Sequence, residues 1–149
     1  MAGPYVYPNP TSQIGKPHVA DIAGNYLGEC VSLVKRYIPE LKNRSTSTWT
    51  KGPNVIETLK NGGTIMEGTA IATFVNGRFV SGHGHAAFFV GSFDDPNPEQ
   101  GTPGIRIIIV EQFKNSVRII ERKLFNRGKN ADGSYVNPSN NGEAFSVIL

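Results

Sequence analysis

The chain has 149 residues, enough for one compact domain over 1–149 whose core needs neither a disulfide nor a metal. A single cysteine excludes an internal bridge, and 17 glycines with 10 prolines argue against a helical bundle. The net charge of +3 is spread out, Lys35, Arg36, Lys42, Arg44 and Lys51 early and Arg118, Arg122, Lys123, Arg127 and Lys129 late, with no interleaved stacking aromatics, which speaks against nucleic-acid binding and leaves a mild attraction to anionic surfaces.

The opening, Met1 to Pro10, has no basic start and no apolar run, so it does not read as a Sec signal. No segment approaches the ~20 apolar residues of a membrane span, and no membrane insertion is expected. The expectation is a soluble protein made in the cytoplasm, with any export by a route that reads no such signal. Residues 1–17 read as an irregular lead-in.

From Asn25 the pattern turns helical, with Cys30, Leu33, Val34 and Tyr37 on one face and Pro39 as the stop. Residues 43–48 read as a loop closed by Trp49. A second short helix follows, with Pro53 near its first turn, Val55, Ile56 and Leu59 apolar, and Gly62-Gly63 at its end.

The remainder reads as sheet. Residues 69–75 and 78–80 face each other across Asn76-Gly77, a pair that favours a type I′ hairpin. Strands are expected over 85–90, 105–113 and 117 to about 124, then a polar loop over 126–143 and a last apolar piece, 144–149. Helices first and antiparallel sheet second give an α+β plan.

Cys30 stands at the start of the first helix, in Gly28-Glu29-Cys30-Val31-Ser32-Leu33-Val34-Lys35. Unpaired amides and the helix dipole favour a thiolate there, and those amides can also serve an oxyanion. Core packing explains the same position, since Cys30 shares its face with Leu33, Val34 and Tyr37 and free cysteine is commonly buried.

His85 follows a flexible Ser81-Gly82-His83-Gly84 and heads a strand, where its imidazole can face a helix packed on the sheet and act as general base. If the strands holding His85 and residues 105–113 pair as a hairpin, Glu111 and Gln112 return beside it. One residue of register decides which side chain shares its face. Glu111 can stabilise the imidazolium, and Gln112 can orient the ring as a neutral amide.

His83-x-His85 with Cys30 can be read as a metal site, but the third and fourth ligands at recognisable spacing are missing. No phosphate-loop or dinucleotide fingerprint occurs. Neither a metal nor a cofactor is expected.

Gly28 to Lys35, Trp49-Thr50-Lys51-Gly52, Gly68 to Phe74, Gly77-Arg78-Phe79 and Gly84-His85-Ala86-Ala87-Phe88-Phe89 together resemble the successive blocks of an amidase family related to the NlpC and CHAP peptidases. Several members of that family are peptidoglycan amidase effectors of bacterial type VI secretion. The similarity runs from Tyr5-Val6-Tyr7-Pro8 to Phe145-Ser146-Val147-Ile148.

The resemblance implies a small papain-like fold and hydrolysis of amide bonds in peptidoglycan peptides through a thioester, with Cys30 as nucleophile and His85 as base. At the third position relatives tend to show Asp-Gln-Trp where this chain has Glu111-Gln112-Phe113. CHAP relatives often carry glutamine before the cysteine, and Glu29 stands there, so no side chain is assigned as oxyanion donor.

Such an effector implies passage through the secretion apparatus into the periplasm of a target bacterium, and a cognate immunity protein in the producing cell. Two other readings stay open: a phage or autolytic CHAP-type wall hydrolase, and a non-catalytic wall-binding domain of the same fold. The oligomeric state and the amide bond cut are not specified by the sequence.

Overall fold

The computed structural model describes residues 3–149. Of the expected lead-in, residues 1 and 2 lie outside the described residues. The elements are α1 (Cys30–Tyr37), β1 (Lys51–Asn54), α2 (Val55–Lys60), β2 (Ala70–Thr73), β3 (Ala86–Asp95), β4 (Gly104–Glu111), β5 (Ile120–Lys123) and β6 (Phe145–Ile148), joined by short 3-10 turns. The strands form one six-stranded sheet in the order β1-β6-β2-β3-β4-β5. Every neighbouring pair is antiparallel, which makes the chain α+β as expected.

The helices cover opposite faces of this sheet. Leu33 and Val34 of α1 pack with Tyr5, Ala70, Ala72, Ala86, Phe88 and Val110 on one face. Val55 and Ile56 of α2 pack with Ile71, Ala87, Phe89, Ile107, Ile109, Phe145 and Val147 on the other. Alternate residues of β2, β3 and β4 thus feed two cores, which is why these strands read as continuous apolar runs rather than as an alternation. Burying a side chain such as Phe88 or Leu33 completely contributes about 1.5–3 kcal/mol.

Helix α1 begins where Gly28, at φ 82°, turns the chain and Glu29 takes an extended conformation as its N-cap. It ends before Pro39, with Lys35 and Arg36 in a last turn whose dipole favours cations. Helix α2 is capped by Asn54, whose side chain accepts from the Glu57 N–H at 3.0 Å.

Pro53 lies before α2, in β1, a strand the sequence did not announce. This edge strand pairs only with β6, so the missing proline N–H costs it no ladder bond with a second neighbour. Asn76 (φ 50°) and Gly77 (φ 77°) make the expected tight turn, but beyond it only the Val75–Arg78 bridge forms. β3 runs on to Asp95 after an irregularity between Phe89 and Gly91.

The expected polar loop over 126–143 is tied down by Asn141, which is fully buried. Its Nδ2 donates to the Gly128 and Val136 carbonyls at 3.0 and 2.9 Å, and its Oδ1 accepts from the Arg127 and Glu143 amides at 3.0 and 3.1 Å. That network carries Ser139 and Asn140 to the end of the sheet where His85 stands.

Candidate active site

Cys30 is the first residue of α1, where an amide has no intrahelical acceptor, and it is partly exposed. Its Sγ lies 3.8 Å from the Gly84 carbonyl oxygen. The turn before it is close-packed: a Cβ on Gly28 would come within 3.0 Å of the His18 ring. Gly84 has as little room, since a Cβ there would meet the Phe79 ring at 2.8 Å.

His85 precedes β3 and is fixed by Thr73. Its N–H donates to Thr73 Oγ1 at 3.0 Å, and its carbonyl accepts from the Thr73 N–H at 3.0 Å. The ring stands edge-on to Phe145 and is 6% exposed as a residue. Its Nε2 lies 2.6 Å from Glu111 Oε1, and His85 lines the same cleft as Cys30.

The register explains why Glu111 and not Gln112 meets the ring. Phe88 pairs with Val110, which places His85 and Glu111 on one face of the two strands and turns Gln112 to the other. None of the hydrogen bonds of Gln112 goes to His85. Its Oε1 accepts from the Val19 N–H at 2.8 Å, and its Nε2 donates to the Val19 and Glu29 carbonyls, each at 2.8 Å. The buried carboxamide therefore holds the segment that leads into Cys30, not the imidazole.

Glu111 is fully buried and is gripped from its other side by Arg122 of β5. Arg122 Nε donates to Oε2 at 2.6 Å and Nη2 to Oε1 at 2.9 Å. The guanidinium also donates to Asn140 Oδ1 at 2.5 Å and to the Ser139 carbonyl at 3.0 Å. In the sequence Arg122 is one of several dispersed cations. The available signal was its place two residues after Ile120, the partner of Glu111, which sets Arg122 on the face of Glu111.

These contacts set the protonation states. Burial pulls the His85 pKa down, but hydrogen bonds to Cys30 and Glu111, with their negative charge, overcome it and raise the value from 6.5 to about 9. Burial pushes the Glu111 carboxyl up, and the hydrogen bonds and charges of His85 and Arg122 more than reverse that, holding it below the usual range. Both shifts favour an imidazolium against a carboxylate.

Two arms of a surface cleft meet at Cys30. One, of about 430 Å³, is lined by His85, Phe113, Lys114, Ile120, Arg122 and Asn140, and the other, of about 530 Å³, by Asp21, Tyr26, Lys35, Ser45, Phe79 and Ser81. Glu29, Cys30 and Gly84 line both. His83, the second histidine of the possible metal pair, is exposed on the preceding turn.

The profile of the domesticated amidase effector 2 family matches residues 5–148. A type VI secretion amidase effector 2 protein of Salmonella typhi is 35% identical over 158 aligned positions, covering 97% of this chain and 98% of its own. A solved type 6 secretion amidase effector 2 superposes with a TM-score of 0.69 at 32% identity, covering 98% of this chain and 94% of that one. A thiol at a helix start, its histidine on the sheet and near end-to-end similarity converge: the chain belongs to the domesticated amidase effector 2 family.

Proposed function

We propose that the protein is a single-domain cysteine amidase that hydrolyses amide bonds in peptidoglycan peptides, with Cys30 as nucleophile, His85 as general base and acid, and Glu111 as the group that orients and charges the imidazole. The observation that carries it is the relay His85, Glu111, Arg122 opening on the cleft that Cys30 lines.

With Nε2 engaged by Glu111, Nδ1 is the ring nitrogen left for the thiol. The His85 ring carries the proton of the thiol, so Sγ bonds to the amide carbon as the thiolate of a thiolate–imidazolium pair, and the Cys30 backbone N–H donates to the oxyanion. Collapse breaks the C–N bond, His85 gives its proton to the departing amine, and a thioester remains. Water, deprotonated by His85, then attacks the thioester carbon. The acid leaves and Sγ regains its proton. Glu111 keeps the imidazolium stable, so the thiol proton stays on the ring until the departing amine needs it, and Arg122 keeps Glu111 ionised.

The names of the relatives support delivery by type VI secretion rather than a phage or autolytic setting. Passage into the periplasm of a target cell would put the enzyme beside its wall. The net charge of +3 favours retention there. No helix among the described residues is long and apolar enough to cross a membrane. A producing cell would need an immunity protein that covers the cleft at Cys30.

Digestion of purified sacculi tests the reading. The wild type should release new peptide termini and Cys30→Ala none; release by both, or by neither, contradicts it.

A further inference from the structure

Gln112 is fully buried just after β4, and all of its side-chain hydrogen bonds go to backbone groups distant in the chain. Two of the partners are the Val19 and Glu29 carbonyls, and the third is the Val19 N–H. A carboxamide donates twice and accepts at once, whereas an ionised glutamate of equal length can only accept. The Glu29 carbonyl is held by Gln112 Nε2 at 2.8 Å and by the Ser32 N–H at 3.0 Å. The Val19 carbonyl is likewise shared, between Gln112 Nε2 at 2.8 Å and the Gly28 N–H at 3.1 Å. One buried side chain thus fixes the turn on both sides of its approach to α1.

The peptide unit that holds the Glu29 carbonyl also holds the Cys30 N–H. A trans peptide is planar, with its C=O and N–H in opposite directions, so fixing one fixes the other. The Cys30 N–H therefore points away from the buried Gln112, and both residues of that peptide line the cleft. The N–H groups of Glu29 and Ser32 are taken by the Tyr26 and Glu29 carbonyls. Cys30, as the first residue of α1, has no intrahelical acceptor, and no other backbone carbonyl among the described residues takes its N–H. Hydrogen bonds to the Glu29 carbonyl also polarise the amide and strengthen that N–H as a donor.

We propose that Gln112 is a positioning residue for catalysis: its carboxamide sets the plane of the Glu29–Cys30 peptide, so that the Cys30 N–H stands where the oxyanion forms. This rests on the cysteine amidase reading and adds the buried group that aligns its oxyanion donor. When Sγ bonds to the acyl carbon, the carbonyl π pair moves to oxygen, and that oxygen accepts from the Cys30 N–H. Neighbouring residues at one strand end then serve two halves of the site, Glu111 the imidazole and Gln112 the oxyanion.

The experiment compares two reactions of the same thiol. Hydrolysis of a wall peptide passes through an oxyanion, whereas alkylation by iodoacetamide does not, since Sγ bonds to a CH2 carbon and iodide leaves. Gln112→Met should lower kcat by about 10–100-fold with KM within about twofold, a displaced donor costing less than a deleted one. Its alkylation rate, which reads the thiolate alone, should stay within about twofold of wild type across pH. Should Gln112→Met not fold, Gln112→Asn, one methylene too short for the Glu29 carbonyl, should show the same split. A measurement on the wild type needs no variant: on binding a peptide aldehyde, whose thiohemiacetal oxygen fills the same place, the Cys30 amide proton should move downfield by NMR. A full kcat in the folded variant, an alkylation rate that falls in step with kcat, or an unmoved Cys30 amide proton overturns the proposal and leaves the amidase intact. A wild type that cleaves no wall peptide overturns the amidase reading and the proposal with it.

Discussion

The β3–β4 pair carries an arginine–carboxylate contact at each end. At one end Arg106 Nη1 meets Asp95 Oδ2 at 2.7 Å, and the guanidinium lies 4.0 Å from the Phe125 ring centroid and donates to the Leu124 and Lys123 carbonyls. At the other end Arg122 grips Glu111 through two nitrogens, and Glu111 meets the His85 ring. The Asp95 carboxylate is partly exposed and neutralises a structural arginine. The Glu111 carboxylate is fully buried, and that burial is why its charge is felt at the imidazole. An ion pair becomes part of a reactive site when its carboxylate is also shared with a histidine beside a thiol.

The largest effect should separate the ends outright. Cys30→Ala should abolish turnover of wall peptide, and His85→Ala should lower kcat by about 10²–10⁴-fold, both read by chromatography of released fragments. Loss of either side chain without loss of activity would move the site elsewhere.

Glu111→Gln comes next, since it removes the charge that raises the His85 pKa. We expect kcat/KM to fall by about 10–100-fold and the alkaline limb of its pH profile to move to lower pH. Stability should change its pH dependence in the same direction. Because His85 is raised from 6.5 to about 9, its contribution is complete below pH 6.5 and lost as pH rises through about 9. Glu111, held low, contributes above its unfolded value of 4.5 and loses that as pH falls through its folded value. Chemical denaturation at several pH values should show the slope between pH 6.5 and 9 in the wild type and a flatter one in Glu111→Gln.

Arg122→Met should lower both activity and stability, because it leaves a buried carboxylate with only the imidazole as partner. A loss of about 1–3 kcal/mol is expected, below the full cost of breaking a buried pair because Arg122 is partly exposed. Arg106→Met sharpens the contrast from the other end. It should cost about 1–2 kcal/mol through its lost hydrogen bonds and ring contacts while kcat/KM stays within twofold. Thermal unfolding with parallel kinetics checks both variants, and equal activity losses would erase the distinction between the two ends.

The helix–sheet plan was legible because it depends on local pattern, and Cys30 and His85 stood out as candidates through residue type together with the resemblance of the blocks around them. Glu111 came ahead of Gln112 on its chemistry, but one step of register between β3 and β4 exchanges their faces, so the chain alone leaves the partner of the ring open. The pairing of Phe88 with Val110 makes Glu111 the partner of the ring and gives Gln112 a separate task at Val19 and Glu29. Arg122 was hidden for the same reason, one strand further out. Ser139 and Asn140 were hidden because their path depends on the four hydrogen bonds of Asn141, which link residues far from any periodic pattern. The strand β1 was masked by Gly52 and Pro53, residues that an edge position tolerates.

Glu111, backed by Arg122, should keep a proton on His85 well above the ordinary histidine range. Titration of the three histidine rings by NMR, assigned with His18→Gln and His83→Gln, tests it directly. His85 should remain imidazolium at pH 8 and lose its proton at about 9, and Glu111→Gln should lower that midpoint. A His85 that is already neutral at pH 7.5, or whose midpoint ignores Glu111→Gln, would contradict it.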